Sequence, residues 1–321
     1  MALWAGIDEA GYGPLLGPLV VAGTAFHLPQ KPREGCLWQL LSDAVTRKRG
    51  RADGRIVVDD SKVVYTPSRG IRPLEEGVLT FLHCIGDRPA NAGDLLRCVL
   101  HPRSTLTDGS PWSEKVEAIP LPLASNPSAL ASKAAALGEA MRHAGVRFAG
   151  ARLCVVLPNE FNTFVEHTGN KSYLLWQKCG LLLQRLWQTA AREEAFVLVD
   201  RHGGRLRYRK LLCDAFPECA CDIEREGTDG SVYRISRSQR TMWVAFKEKA
   251  ESRALPVALA SMTAKYVREV YMHAFNEYWC AQLDGLKPTA GYALDGKRFL
   301  NDIAPLIERE RLDTHALVRG R

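Results

Sequence analysis

Long apolar runs are missing from this chain. Nowhere do the ~18–20 consecutive apolar residues appear that a membrane-spanning helix requires. No basic segment precedes an apolar one at the N-terminus, so no secretory signal is expected. The cysteines, nine in number, lack metal-ligand or disulfide spacing, and Cys219 and Cys221 are separated by one residue rather than two. Reduced thiols serving mostly as core filler are expected, in a soluble cytoplasmic protein without membrane contact. There is no internal repeat and no low-complexity tract, and glycine and proline are only modestly used. With 46% hydrophobic and 25% charged residues over 321 positions, the chain can bury a full core, which excludes wholesale disorder.

What is present is organised around one stretch, Trp4-Ala5-Gly6-Ile7-Asp8-Glu9-Ala10-Gly11-Tyr12-Gly13-Pro14. An apolar lead ends in two adjacent carboxylates, a loop with two glycines and a proline follows, and Pro18-Leu19-Val20-Val21-Ala22 begins a second apolar run. The pattern predicts strand, turn, strand. Successive strand residues face opposite ways, so Asp8 and Glu9 can share a site only where the strand ends or bends. An ordinary exposed turn is the alternative for an isolated Asp-Glu pair; the apolar flanks and double glycine favour a metal or phosphate site.

Further along, Leu37, Leu40, Leu41 and Val45 have helical spacing within Gly35–Lys48, and residues 47–55 read as an exposed basic loop. Arg55–Lys62 is extended and ends in acid, hydroxyl and lysine. Helices are predicted over Pro73–Ile85 and Pro127–Ala144, with weak signal over 86–126. Ala151–Leu157 reads as a buried strand, Asn170–Glu194 as a long helix whose Leu-rich stripe is core, and Ala195–Asp200 as a strand ending on an acid. Five of the ten residues 201–210 are then Arg or Lys. Residues 219–249 suggest a hairpin turning at Thr228-Asp229-Gly230, with Val232–Phe246 as its return strand. Arg234, Arg237 and Arg240 mark an exposed face of that strand. A helix from near Pro256 to about Cys280, a Gly291-Tyr292 loop and a final helix over 296–311 complete the reading. Strand–helix–strand units with nearly continuous apolar strands imply a sheet that is at least partly parallel, covered on both faces. Functional groups in such sheets gather at the carboxyl ends of strands, where Asp8, Glu9 and Asp200 stand.

Together these pieces resemble the type 2 ribonuclease H (ribonuclease HII) family. Gly6–Pro14 is similar to its Gly-Ile-Asp-Glu-Ala-Gly-Arg-Gly-Pro segment except at Tyr12, where the family has arginine. Asp60-Ser61-Lys62 resembles its Asp-Ser-Lys element, and Val199-Asp200 its Val-Asp-Gly strand end, with Arg201 in place of glycine. Lys249–Arg253 followed by Leu259–Glu269 is similar to its Lys-Gly-Asp-Ser turn and the helix after it, with Glu251 in place of aspartate. Gly291-Tyr292 and His315–Arg319 echo its last elements. The matches keep their order across most of the chain.

The resemblance implies a ribonuclease H-like α/β fold: a mixed five-stranded sheet flanked by helices, in one catalytic domain over 1–321. Residues 86–147 would be an inserted subdomain and 205–248 a helix-hairpin insertion. It also implies a metal-dependent endoribonuclease acting on RNA–DNA hybrids or ribonucleotide-containing duplex DNA, leaving 3′-hydroxyl and 5′-phosphate ends. Two Mg²⁺ or Mn²⁺ ions about 3.5–4 Å apart suit such chemistry, and a few carboxylates suffice to hold them beside a phosphodiester. By resemblance, Asp8, Glu9, Asp200 and Glu251 supply that set, with Asp59 and Glu248 as competitors for the place of Glu251. Gly11, Tyr12 and Gly13 would read the ribose 2′-hydroxyl. Ser61 and Lys62, with Lys265 and Arg268, would meet the strand, the cations at phosphates, and Tyr292 would abut the sugar. His202 reads as a bystander beside Asp200. Two alternatives remain open: a nuclease of the same fold with DNA or branched substrates, and a nucleic-acid-binding protein with little turnover.

Overall fold

The computed structural model describes residues 1–48, 54–66 and 68–320. Most of the basic loop expected at 47–55 falls outside these residues. At the centre is β1 (Ala2–Ala10), whose side chains alternate between two buried faces, Leu3, Ala5 and Ile7 on one and Trp4 on the other. It pairs antiparallel with β2 (Leu19–Leu28), Asp8 facing Ala22 across the ladder, so the predicted opening hairpin is present. β2 pairs antiparallel with β3 (Arg147–Val156). On its other side β1 runs parallel to β4 (Glu194–Asp200).

Beyond β4 the sheet departs from the sequence expectation. The chain forms β5 (Ala220–Arg225), β6 (Ser231–Arg237) and β7 (Arg240–Lys247), three strands where a two-stranded hairpin is predicted. The run read as one return strand breaks at Ser238, which adopts φ 54°, and Arg237 pairs with Arg240 across the turn. β7 then lies parallel to β4, so residues 205–248 are no appendage: they deliver a strand to the main sheet. Among the described residues the sheet has seven strands rather than five, in the order β3-β2-β1-β4-β7-β6-β5. Its first five make the mixed sheet that the resemblance implies, and β6 and β5 extend it antiparallel.

Helices of eight or more residues among those described are α1 (Arg72–Cys84), α2 (Ala92–Val99), α3 (Pro127–His143), α4 (Pro158–Thr168), α5 (Lys171–Ala190), α6 (Leu255–Cys280) and α7 (Ala293–Glu310). Their starts follow local chemistry. The Asn126 side chain accepts from the Ser128 and Ala129 amides with Pro127 in the first turn of α3, and Asn170 accepts from Tyr173 at the start of α5. The helix predicted over 35–48 shrinks to Cys36–Leu40, after which Val45–Thr46 pairs in parallel with Ile56–Val57. None of the described helices is long and apolar enough to cross a membrane.

The two faces of the sheet carry separate cores. One packs Trp4, Val20 and Phe26 against α6, α1 and the 86–147 helices, through Leu95, Leu130 and Leu137 among others. The opposite face packs Leu3, Ala5 and Ile7 against the leucine stripe of α5. α6 runs against β1 at Gly6, where a Cβ would stand 2.2 Å from the backbone nitrogen of Val257. That contact sets how far α6 lies from the acids at the end of β1.

Candidate active site

Three adjacent parallel strands end at the same edge of the sheet, and each brings an acid. β1 carries Asp8 and Glu9; β4 ends on Asp200; and β7 leads, four residues on, to Glu251 in the 3₁₀ turn Ala250–Ser252. Ile7 pairs with Val199 and Asp200 with Lys247, so the three exits are side by side. Lys249 is left-handed at φ 52°, which turns the chain back, and Asp200 Oδ1 accepts the Ala250 amide at 3.0 Å. Asp200 therefore pins the turn that carries Glu251.

The acids repel one another in a dry setting. Burial, with the neighbouring charges of Glu9 and Asp200, pushes the Asp8 carboxyl well up, against opposing bonds from Ser261 and the Glu9 amide. Glu9 is pushed up to about 7 by burial, then by Asp200 and Glu251, with Lys62 opposing. Burial also raises Asp200, although the Ala250 amide and Lys62 work against it. Glu251 is raised by burial and by Asp200 and Asp60. Lys62 faces this group: burial opposes its charge, but Asp60, Asp8, Glu251 and Asp200 outweigh that and raise its pKa. Such a concentration of negative charge with a single lysine opposite it is unfavourable by itself and suits added cations. Among the described residues, no three His, Cys, Asp or Glu side chains close on one point as a ready-made metal cage. A hard cation beside a phosphodiester does not need one, because water and phosphate oxygens fill most of its octahedron.

The competitors of Glu251 are occupied elsewhere. Asp59 is buried and paired with Arg47 at 2.9 Å, and Glu248 is paired with Arg201. Asp60, which sequence reasoning did not count among the acids, reaches the group electrostatically from its position capping the turn Ser61–Val64, where it accepts the Lys62 amide at 2.9 Å. The signal was its place at the head of Asp60-Ser61-Lys62. Ser61 is buried, and its hydroxyl accepts from Ser261 on α6 at 3.0 Å.

The loop leaving β1 is fixed from outside. Gly11 adopts φ 85°, and the amides of Leu15 and Leu16 donate to the Gly291 carbonyl at 2.8 and 3.2 Å. Gly13 has open space where a Cβ would be. Tyr12 is half-buried, with the Lys171 ammonium 5.4 Å from its ring centroid, and burial followed by the Glu9 charge raises its hydroxyl pKa. Tyr292 is exposed on the adjoining loop.

Two expected phosphate contacts are not at the surface. Arg268 is fully buried on α6, and its Nη2 donates to the carbonyls of Leu16 at 3.1 Å and Ala290 at 3.0 Å. It braces the loop after β1 against the Gly291 loop. Lys265 is also buried, with Nζ 2.5 Å from Glu269 and 4.6 Å from the Tyr65 ring centroid. Both cations lie inside because α6 is buried around most of its circumference. His202 is buried among Trp176, Tyr208 and Phe246, and burial lowers its pKa to about 3, which leaves it neutral and apart from the acids' chemistry. The arginines of β6 and β7 are engaged internally: Arg234 with Asp222, Arg237 with Glu218, and Arg240 with the Trp187 carbonyl.

No family model matches the chain, and no curated protein matches it. Solved structures do. The chain is similar to ribonucleases HII and HIII. The ribonuclease HII of the Archaeoglobus fulgidus PCNA:RNase HII complex is 18% identical, with TM-score 0.43, over 99% of this chain and 94% of that one. Ribonuclease H2 from Pyrococcus horikoshii OT3 is 15% identical, with TM-score 0.49, over 98% and 92%. Bst-RNase HIII in complex with Mn²⁺ is 16% identical, with TM-score 0.43, over 99% of this chain and 66% of that one. These identities say nothing about the site, whose reading rests on this chain's own geometry.

Proposed function

We propose that the protein is a divalent-metal-dependent endoribonuclease that cuts the RNA strand of RNA–DNA hybrids, and duplex DNA at embedded ribonucleotides, leaving 3′-hydroxyl and 5′-phosphate ends. The observation that carries this reading is the meeting of Asp8, Glu9, Asp200 and Glu251 at three neighbouring strand ends, opposite Lys62. A protein that only bound nucleic acid would gain nothing from acids gathered to face phosphates.

The four carboxylates would hold Mg²⁺ or Mn²⁺, which supplies Lewis acidity at the scissile phosphate and a more acidic water. Mutual repulsion makes the carboxylates receptive to such ions. Asp200, tied to the Ala250 amide, keeps Glu251 in register with the β1 acids. The Ser261 side chain favours the charged form of Asp8. Lys62, kept protonated by the surrounding acids, orients a phosphate of the strand without reading sequence. The backbone of Gly11–Gly13, which follows the β1 acids directly in the chain, would read the ribose 2′-hydroxyl. Tyr12 in place of the family's arginine leaves that backbone intact and removes a bidentate cation.

Cleavage of an end-labelled DNA duplex with one ribonucleotide tests the proposal, in Mg²⁺ and separately in Mn²⁺, beside an all-DNA duplex and an Asp200→Asn variant. Cutting at the ribonucleotide alone, lost in the variant, is the expected result. Cutting of the all-DNA duplex would move the assignment to a DNA nuclease, and binding without cutting in either metal would refute the enzymatic reading.

A further inference from the structure

The loop leaving β1 also walls a small cleft of about 80 Å³, lined by Tyr12–Leu15, Phe161, Lys171, Lys297 and Arg319. No acidic side chain lines it among the described residues. Arg319 is only 3% exposed. Its Nη2 donates to the Pro14 carbonyl and its guanidinium lies 4.9 Å from the Phe161 ring centroid, but Nε and Nη1 have no partner among the described residues. Burial, and then the like charge of Arg268, lowers its pKa to about 9. A buried guanidinium with unused N–H donors and no counter-charge is an unfavourable arrangement, and the usual remedy is an anion.

The rest of the cleft points the same way. Lys171 is the first residue of α5, whose first turn holds no acid, and its ammonium lies 5.4 Å from the Tyr12 ring centroid. A cation at a helix N-terminus is disfavoured by the helix dipole unless an anion sits between them. The N-terminus of α7 meets the same cleft at Ala293 and has no side-chain cap. Its one early acid, Asp295, is engaged by Thr289, the Ala290 amide and Arg298 at 2.6, 3.0 and 2.7 Å. Exposed Lys297 completes the set.

We propose that this cleft is a phosphate pocket that takes a backbone phosphate of the nucleic-acid duplex. The choice of ligand rests on the function proposed above; the positive, acid-free cavity does not. Tyr12 lines this cleft and is near enough to Glu9 for that charge to raise its hydroxyl pKa, so one duplex would meet the cleft and the acids together. The pocket supplies affinity and register, and no sequence readout.

The test uses the full chain, the Lys171→Ala/Lys297→Ala double variant and Arg319→Gln, each checked for folding by circular dichroism. Anisotropy titrations of a labelled duplex in EDTA, over about 50–200 mM salt, give the slope of log affinity against log salt. Loss of one phosphate contact is expected to reduce that slope by about 0.9 in the double variant, equally for all-DNA and ribonucleotide-containing duplexes. In parallel, inorganic phosphate at constant ionic strength is expected to raise the melting temperature of the wild type and not of the variants. An unchanged slope and an unchanged phosphate response in both folded variants would overturn the pocket. A lost phosphate response with an unchanged slope would overturn the duplex as ligand and leave a site for free phosphate. Because the titration excludes divalent metal, it reads binding whether or not the protein cuts, so a failed cleavage assay would leave the pocket standing or falling on its own slope.

Discussion

Ser261 Oγ donates to Ser61 Oγ at 3.0 Å, and the same side chain favours the charged form of Asp8 against the burial that raises its pKa. One side chain on α6 thus ties an acid of β1 to the turn that carries Lys62. Ser261→Ala is expected to cost about 1–3 kcal/mol of stability, the range for leaving buried polar groups unpaired. It should also lower the cleavage rate while leaving duplex affinity in EDTA nearly unchanged, since no phosphate contact is removed. Denaturant titration and single-turnover kinetics together check this. A rate equal to wild type would remove Ser261 from any positioning role.

The raised carboxyl pKa values carry a sign that can be tested. Glu9 rises from the ordinary 4.5 to about 7, so the folded state holds its proton more tightly than the unfolded chain does. The stability this contributes is complete below about pH 4.5 and is lost as pH climbs through about 7. Without divalent metal, Glu9→Gln is therefore expected to melt above the wild type at about pH 8 and close to it at about pH 4.5. Mg²⁺ should raise the wild-type melting temperature at about pH 8 and have little effect at about pH 5, where protons occupy the acids. Calorimetry at these pH values decides, and a metal effect independent of pH would refute this account.

Much of the site was legible because its residues sit where local rules are strong. Asp8, Glu9 and Asp200 end apolar strands, and the glycines after Glu9 announce the turn. The break at Ser238 was not legible: the run from 231 to 247 contains no glycine or proline at that point, and side chains alternate through both strands. What divides it is the tertiary pairing of β7 with β4, which no local pattern encodes. The roles of Lys265 and Arg268 were hidden for a related reason. A charged residue reads as solvated, and only the burial of α6 from several sides turns these cations inward, onto Glu269 and backbone carbonyls.

That inward turn separates two cations that look alike in sequence. Arg268→Gln is expected to lower stability by about 3 kcal/mol, because it strips carbonyl partners and leaves Glu269 short of a counter-charge. Lys62→Ala should cost less, about 1 kcal/mol without metal, because the position is exposed but the four acids lose their counter-charge, while weakening duplex binding and lowering the salt slope. Urea denaturation beside anisotropy gives both numbers for each variant. A folded, stable Arg268→Gln protein with selectively weakened binding would return Arg268 to the substrate surface.

The glycines of the first motif divide in the same manner, by what a Cβ would strike. At Gly6 it would stand 2.2 Å from the Val257 backbone nitrogen, and at Gly11, with φ 85°, 2.4 Å from the Pro18 carbonyl oxygen. Neither backbone can yield easily, so Gly6→Ala and Gly11→Ala are expected to lose about 2–3 kcal/mol or more, through overpacking and left-handed strain. Gly13 meets nothing within 4 Å. Gly13→Ala should therefore fold as the wild type does, and any effect must come from what approaches the loop from outside. If the backbone there reads a ribose, this variant will lose cleavage at a single ribonucleotide while its melting temperature stays within about 2 °C of the wild type. Wild-type cleavage by a normally folded Gly13→Ala protein would show that no substrate backbone comes close to this glycine, and would move ribose recognition elsewhere in the site.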